Sequence, residues 1–160
     1  MRHAASPHLR RAPGSRQRGA SMIEILVTLL ILGFGLMGMS AMQARALQGS
    51  VSSFQRGQAV IFAQYMLDVL RIDREAAKGG SYNLTKSCAS AGISGSSLAT
   101  NSLRAWIDTM KDDMGSGNTD TTTCASVQCD ADYRCTVKIF WDDSRAGGLG
   151  DQTITVSSRV

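Results

Sequence analysis

One carboxylate inside a long apolar segment is the residue of this chain that most needs a chemical explanation. Glu24 is the only charged residue between Met22 and Ala44, and the small residues Gly19-Ala20-Ser21 lie just before it. An acidic side chain costs roughly 2.5–3.5 kcal/mol at the centre of a membrane helix. An anchor alone would be more stable with leucine at this position, so we expect Glu24 to have a function of its own.

The segment that carries Glu24 is long enough to cross a membrane. Met22–Met42 holds 21 residues, mostly Ile, Leu, Val, Met, Gly and Ala, and about 20 such residues span the roughly 30 Å hydrocarbon core. Residues 1–18 contain five arginines and no acid, which places this end in the cytoplasm and the rest of the chain across the membrane. Small residues precede the apolar core here, whereas an ordinary secretory cleavage site follows it.

These features together resemble the class III signal of type IV pilins. A basic leader, a glycine, a short run with serine, a glutamate five residues past the glycine and an apolar helix match Gly19-Ala20-Ser21-Met22-Ile23-Glu24. The run 21–27, with Gly35-Leu36-Met37-Gly38 after it, is similar to a minor-pilin subgroup. The family usually has phenylalanine after the cleaved glycine, where this chain has Ala20.

The resemblance implies processing and assembly. A prepilin peptidase would cut between Gly19 and Ala20 and methylate the new amine of Ala20. Glu24 would then pair with its own Ala20 amine, four residues away, or with the amine of a neighbouring subunit, which the family favours. The expected partners are this peptidase, other minor pilins, the major pilin, the inner-membrane assembly platform, a tip adhesin and membrane lipid. The expected location is the inner membrane, with the following domain in the periplasm and the subunit incorporated into a pilus.

The chain's charge changes sign if the leader is removed. Residues 1–19 hold five of the 17 basic residues and none of the 13 acidic ones, so the formal charge of +4 falls to −1. A basic protein usually suggests a nucleic-acid partner, but here the excess lies in the leader. We therefore expect no nucleic acid as a partner.

Four cysteines, Cys88, Cys124, Cys129 and Cys135, all follow the apolar segment. In an oxidising periplasm, an even number predicts two disulfides. The sequence leaves three connectivities open, and we slightly prefer Cys124–Cys135 with Cys88–Cys129. Zinc would need closer pairs of ligands, and both histidines, His3 and His8, lie in the leader. We expect no metal, no cofactor and no catalytic residues.

The patterning predicts an α+β, pilin-like fold in which a long amino-terminal helix packs on a small antiparallel sheet. Its parts are a leader (1–19), a membrane-spanning or filament-core half of the helix (20–44), an amphipathic half (45–78) and a periplasmic globular part (79–160). The predicted core stripe of the amphipathic half has six members at three- and four-residue steps, with Phe62, Met66 and Val69 on its flank. The six are Leu47, Val51, Phe54, Ile61, Tyr65 and Ile72.

After the helix, which should end near Ala77-Lys78 before Gly79-Gly80, a loop is predicted over 79–99. A short helix near 102–114, capped by Thr100 or Asn101, follows it. Alternation predicts strands at Tyr133–Trp141 and near 153–160, with a weaker strand at 121–128.

The resemblance leaves several functions open. The first is a minor pilin that initiates, primes or caps a pilus, and so supports twitching motility and adhesion. A minor pseudopilin of a type II secretion system, or a competence pseudopilin that feeds DNA uptake, would share the signal and layout. A membrane-anchored periplasmic protein with no assembly role would need neither the cleavage nor Glu24.

Overall fold

The computed structural model describes Gly19 and residues 21–144, 147, 148 and 150–160. The predicted leader up to residue 18 and the methylation site Ala20 lie outside the described residues. The elements, in chain order, are α1 (Met22–Ile72), α2 (Arg74–Lys78), β1 (Leu84–Ser87), a 3-10 turn (Ser90–Gly92), α3 (Leu98–Met114), β2 (Cys124–Cys129), β3 (Arg134–Trp141) and β4 (Gln152–Arg159). A long amino-terminal apolar helix and a small antiparallel sheet give the predicted α+β layout.

The chain divides into two compact units, Met1–Met42 and Gln43–Val160. In the first, all described residues are exposed, and α1 is long and apolar enough to cross a membrane. The two hydroxyl groups between Met22 and Met42 bond to the helix itself: Thr28 donates to the carbonyl of Ile25 at 2.8 Å, and Ser40 donates to that of Leu36 at 2.9 Å. This segment is therefore compatible with a lipid environment, where each polar group needs an internal partner.

The second unit is built on a four-stranded antiparallel sheet of order β1-β2-β3-β4. Alternate residues of β3 are buried, as the alternation in the sequence predicts. The inner face of the sheet packs with α3 and the second half of α1 in one apolar core. Its largest fully buried side chains include Trp106, Tyr82, Met66 and Leu70.

The predicted core stripe of α1 is wrong in its orientation. All six predicted residues are exposed, from 49% for Val51 to 87% for Ile72. The buried stripe is Ala59, Phe62, Ala63, Met66, Leu67 and Leu70. Phe62 and Met66 on the predicted flank are therefore buried as predicted, and Val69 is partly buried against the core. Ala59 and Ala63 have no exposed surface, and Met66 and Leu70 are also fully buried, so the contact face of the helix combines small and large side chains.

The end of the helical region is close to the prediction but contains a break. α1 ends at Ile72, Asp73 interrupts it, and α2 continues to Lys78. The carboxylate of Asp73 accepts a hydrogen bond from the hydroxyl of buried Tyr82 at 3.1 Å. Gly80, with φ of 78°, turns the chain away after α2 in a conformation that favours glycine.

The next region contains two further differences. Helix α3 begins at Leu98 with Ser97 as its cap, not Thr100 or Asn101, because the Ser97 hydroxyl accepts the backbone N–H of Thr100 at 3.2 Å. The predicted loop over 79–99 contains strand β1, whose four residues and irregular register leave too little alternation to reveal it.

The preferred disulfide connectivity is wrong. The bonds are Cys88–Cys124 and Cys129–Cys135. Register explains the second bond, because Cys129 and Cys135 are direct partners across β2 and β3 with Cα atoms 4.1 Å apart. Cys124 lies at the opposite end of β2, across from Phe140, so it meets the cysteine that follows β1.

Candidate assembly surface

The amino end of α1 presents Glu24 in its first turn. The carbonyl of Ser21 accepts the backbone N–H groups of Glu24 at 3.0 Å and Ile25 at 3.3 Å, so Ser21 forms the entry to the helix. Gly19 has open space around it, since a Cβ placed there would meet no atom within 4 Å. Glycine is thus not needed at position 19 for packing among the described residues.

The Glu24 side chain is exposed and forms no hydrogen bond or ion pair with any residue in the described ranges. A carboxylate in the first helical turn is stabilised by the helix dipole, typically by 0.3–1 kcal/mol. This gain is smaller than the cost of placing the charge in hydrocarbon. Glu24 therefore keeps the capacity to bind a cationic group from outside.

The second unit carries its own exposed apolar surface. We call Leu47, Val51, Phe54, Ile61, Tyr65 and Ile72 the outer stripe of α1. Ile61 and Tyr65 are 60% and 58% exposed. They line a groove of about 410 Å³ with residues of α3, including Ala105, Trp106 and Thr109. Contiguous exposed apolar surface of this kind marks a contact site.

The face of α1 that carries Phe62, and not the outer stripe, makes a hydrogen bond with α3. The indole N–H of Trp106, buried in α3, donates to the backbone carbonyl of Phe62 in α1 at 3.1 Å. Buried indole groups usually find such a partner, and this bond links α3 to the buried side of α1. The sequence does not predict this bond. The spacing of Trp106 predicts that it is buried, but it does not identify its hydrogen-bond partner.

The outer face of the sheet is a charged surface that the sequence reasoning missed. Lys86, Arg134, Lys138 and Arg159 point to this face, and no acidic residue of the strands does. Lys86 lies over the ring of Phe140 at 4.4 Å. None of the four cations forms an ion pair within the part of the chain that the structure describes. Strand register places these residues of three strands on one face, with Arg134 and Arg159 at one end and Lys86 beside Phe140 toward the other. Spacing along the chain cannot reveal this.

A buried aspartate organises the turn between α3 and β2. Asp120 is 8% exposed and accepts hydrogen bonds from the Thr122 N–H at 2.8 Å, the Thr122 hydroxyl at 2.7 Å and the Thr123 hydroxyl at 2.5 Å. Burial acts to raise the pKa of Asp120, but these hydrogen bonds outweigh it and lower the pKa to about 2. Asp120 is therefore a structural anion rather than a proton carrier at neutral pH.

The described ranges hold neither a metal-binding cluster nor a free cysteine. They contain no group of three or more His, Cys, Asp or Glu side chains placed to hold a metal ion. The four cysteines are joined as disulfides and are far along the chain from Glu24. Glu24, the outer stripe and the charged sheet face are the candidate contact features of the described residues.

Comparisons of the chain with protein-family models, curated proteins and solved structures gave no match.

Proposed function

We propose that this chain is a minor type IV pilin, resembling the pilus modification protein PilV, which helps to initiate, prime or cap a pilus. Its carrying observation is the outer stripe of α1. A protein that was only anchored would have no use for six large apolar side chains exposed beyond its membrane segment, and helix-to-helix packing in a filament would bury them.

Glu24 supports the same proposal from the other unit. It is exposed and unpaired in the described ranges, on a helix that otherwise suits a bilayer. Cleavage after Gly19 would create a cationic amine at Ala20. Docking onto the amine of a neighbouring subunit would compensate the charge of Glu24 and fix the axial position of the entering subunit.

The proposal includes the location and the partners. The chain would be held in the inner membrane with the second unit in the periplasm, where its two disulfides are stable. It would be processed by a prepilin peptidase and assembled with minor and major pilins on the inner-membrane platform, with pilus-dependent twitching and adhesion as the outcome. No enzymatic activity is proposed.

The first test is the mass and amino-terminal sequence of the membrane-extracted protein, with and without active prepilin peptidase. A chain that starts at Ala20 only when the peptidase is active is the expected result. A chain that keeps residues 1–19 in both cases would refute the pilin proposal and favour a plain membrane anchor.

The second test replaces Glu24. The Glu24→Ala protein should be cleaved as the wild type is but should be absent from sheared pili. The amine of the neighbouring subunit would then have no carboxylate with which to pair. Thr28→Ala is the matched control, since Thr28 lies one turn further along and bonds only to its own helix. Normal assembly of Glu24→Ala would refute the pairing role. Loss of protein export without loss of twitching would instead indicate a secretion pseudopilin.

A further inference from the structure

The outer face of the sheet contains an unfavourable charge arrangement. Arg134 and Arg159 are direct partners in the antiparallel register of β3 and β4. Like charges directly opposite each other destabilise a sheet. Both side chains are exposed, and neither is neutralised by an ion pair with a residue in the described ranges. Lys138, four residues further along β3, and Lys86 add to the same positive face.

Helix α3 contains the opposite problem. Asp108, Asp112 and Asp113, which we call the acidic row, lie in its second half, and Asp112 and Asp113 are in its last turn. Carboxylates at the carboxyl end of a helix oppose the helix dipole. Lys111, between them in sequence, is buried and donates to two backbone carbonyls. No described residue forms an ion pair with the acidic row.

The two charged surfaces cannot neutralise each other within one molecule. The inner face of the sheet packs with α3, so the cations of the outer face are directed away from that helix. The second unit holds twelve basic and twelve acidic residues, so this separation of charge is not the result of a net excess. Each surface has an unmet electrostatic need that the other would satisfy.

We infer that the outer sheet face of one copy binds the acidic row of a second copy. This contact is heterologous, because two different surfaces meet. Heterologous contacts that do not close into a ring generate open helical filaments. The inference rests on the proposed assembly role, and deepens it by naming a contact between copies.

Carbodiimide cross-linking tests the contact, since the reagent joins a carboxylate to a nearby amine without a spacer. Full-length protein in detergent, prepared in ¹⁴N and ¹⁵N forms and mixed in equal amounts, is treated and digested. Peptides that join Lys86 or Lys138 to the acidic row and combine both isotopes are expected. Cross-links of a single isotope only, or none at all, would overturn the inference.

A charge-reversal variant shows whether the face itself is responsible. The double variant Arg134→Glu/Arg159→Glu leaves the reactive lysines Lys86 and Lys138 in place. It also keeps like charges opposite each other, so the repulsion between the two strands is retained while the charge of the face changes from positive to negative. The mixed-isotope cross-links should fall at least fivefold, and an unchanged yield would overturn the inference. Arg56→Glu is the matched control, since it reverses an exposed cation on α1.

A rescue and a competing ligand complete the test. In a mixture of the reversed-face variant with Asp112→Lys/Asp113→Lys protein, cross-links should join the peptide that carries Arg134→Glu to the peptide that carries Asp112→Lys/Asp113→Lys. These links are counted apart from those between the unaltered face of the second variant and the unaltered acidic row of the first, which form in any case, and absence of the first kind would overturn the inference. If the reversal instead abolishes binding to a DNA duplex while wild-type copies do not cross-link, the face binds a polyanion and the contact between copies is refuted.

The result can be separated from the test of Glu24. Normal assembly of Glu24→Ala together with mixed-isotope cross-links would refute the proposed pairing and keep this contact. Glu24-dependent assembly that is unaffected by charge reversal, without such cross-links, would refute the contact and keep the proposed function.

Discussion

The two disulfides should stabilise the second unit unequally. Cys88–Cys124 closes a loop with a sequence separation of 36 residues, and Cys129–Cys135 one of 6 residues. In the chain-entropy model these loops correspond to about 3.8 and about 2.3 kcal/mol at 25 °C. We therefore expect Cys88→Ala/Cys124→Ala to reduce the free energy of unfolding by about 1.5 kcal/mol more than Cys129→Ala/Cys135→Ala does.

Equilibrium urea unfolding of the full chain in detergent measures this difference. Trp106 and Trp141 are 2% and 3% exposed, so their fluorescence reports the loss of the core. Equal destabilisation by the two double variants, or a larger loss for Cys129→Ala/Cys135→Ala, would refute the reasoning from loop length. Each double variant removes one bond completely, so no unpaired thiol remains to exchange with the other.

Peptide fragmentation of the wild-type chain tests the disulfide connectivity. Cys124 and Cys129 lie in one tryptic peptide, between Lys111 and Arg134, so peptide mass alone does not distinguish the bonds found here from the alternative in which these two cysteines exchange partners. Fragmentation of the backbone between Cys124 and Cys129 does. Fragments that join Cys88 to Cys129 would contradict the strand register.

Three further perturbations follow from the packing. Asp120→Asn should lower stability at neutral pH by about 2 kcal/mol. Because folding lowers the pKa of Asp120 to about 2, the wild-type advantage should be complete above about pH 5 and be lost progressively toward about pH 1, as pH-dependent urea titrations would show. Trp106→Phe should cost about 1–3 kcal/mol in thermal or urea unfolding, since it removes the buried bond to Phe62 and leaves a small cavity. Ile61→Ser with Tyr65→Ser should change stability little, because both residues are exposed, yet should reduce recovery in sheared pili; recovery equal to that of a Gln64→Ser control would argue against the outer stripe.

The sequence is sufficient for the parts of the fold that depend on local periodicity. The membrane-length apolar segment, the strand ending at Trp141 and the helical end before Gly79 each have a signal within a few residues, and the structure contains all three. Strand β1 has no such signal, because Leu84 is its only apolar residue and it pairs at the sheet edge. Short edge strands are defined by their neighbour rather than by their own pattern.

Contacts between distant segments could not be derived in the same way. The Cys129–Cys135 bond follows from the register of β2 against β3, and a shift of the register changes every pair. The like-charge pair Arg134–Arg159 depends on the register of β3 against β4. Spacing in the sequence gives the two strands but not this alignment, so the charged face appears only when the sheet is assembled.

The orientation of α1 carries the most information about function. The second half of the helix has an exposed and a buried apolar stripe, and the sequence pattern places the core on the exposed one. Side-chain size does not separate the two stripes, because the buried one holds Phe62 and Leu70 as well as Ala59. The buried stripe also contains Phe62, whose backbone carbonyl accepts the indole N–H of Trp106. The outer stripe is left exposed on the second unit, and this exposure is the reason that we propose assembly rather than anchoring as the role of the helix.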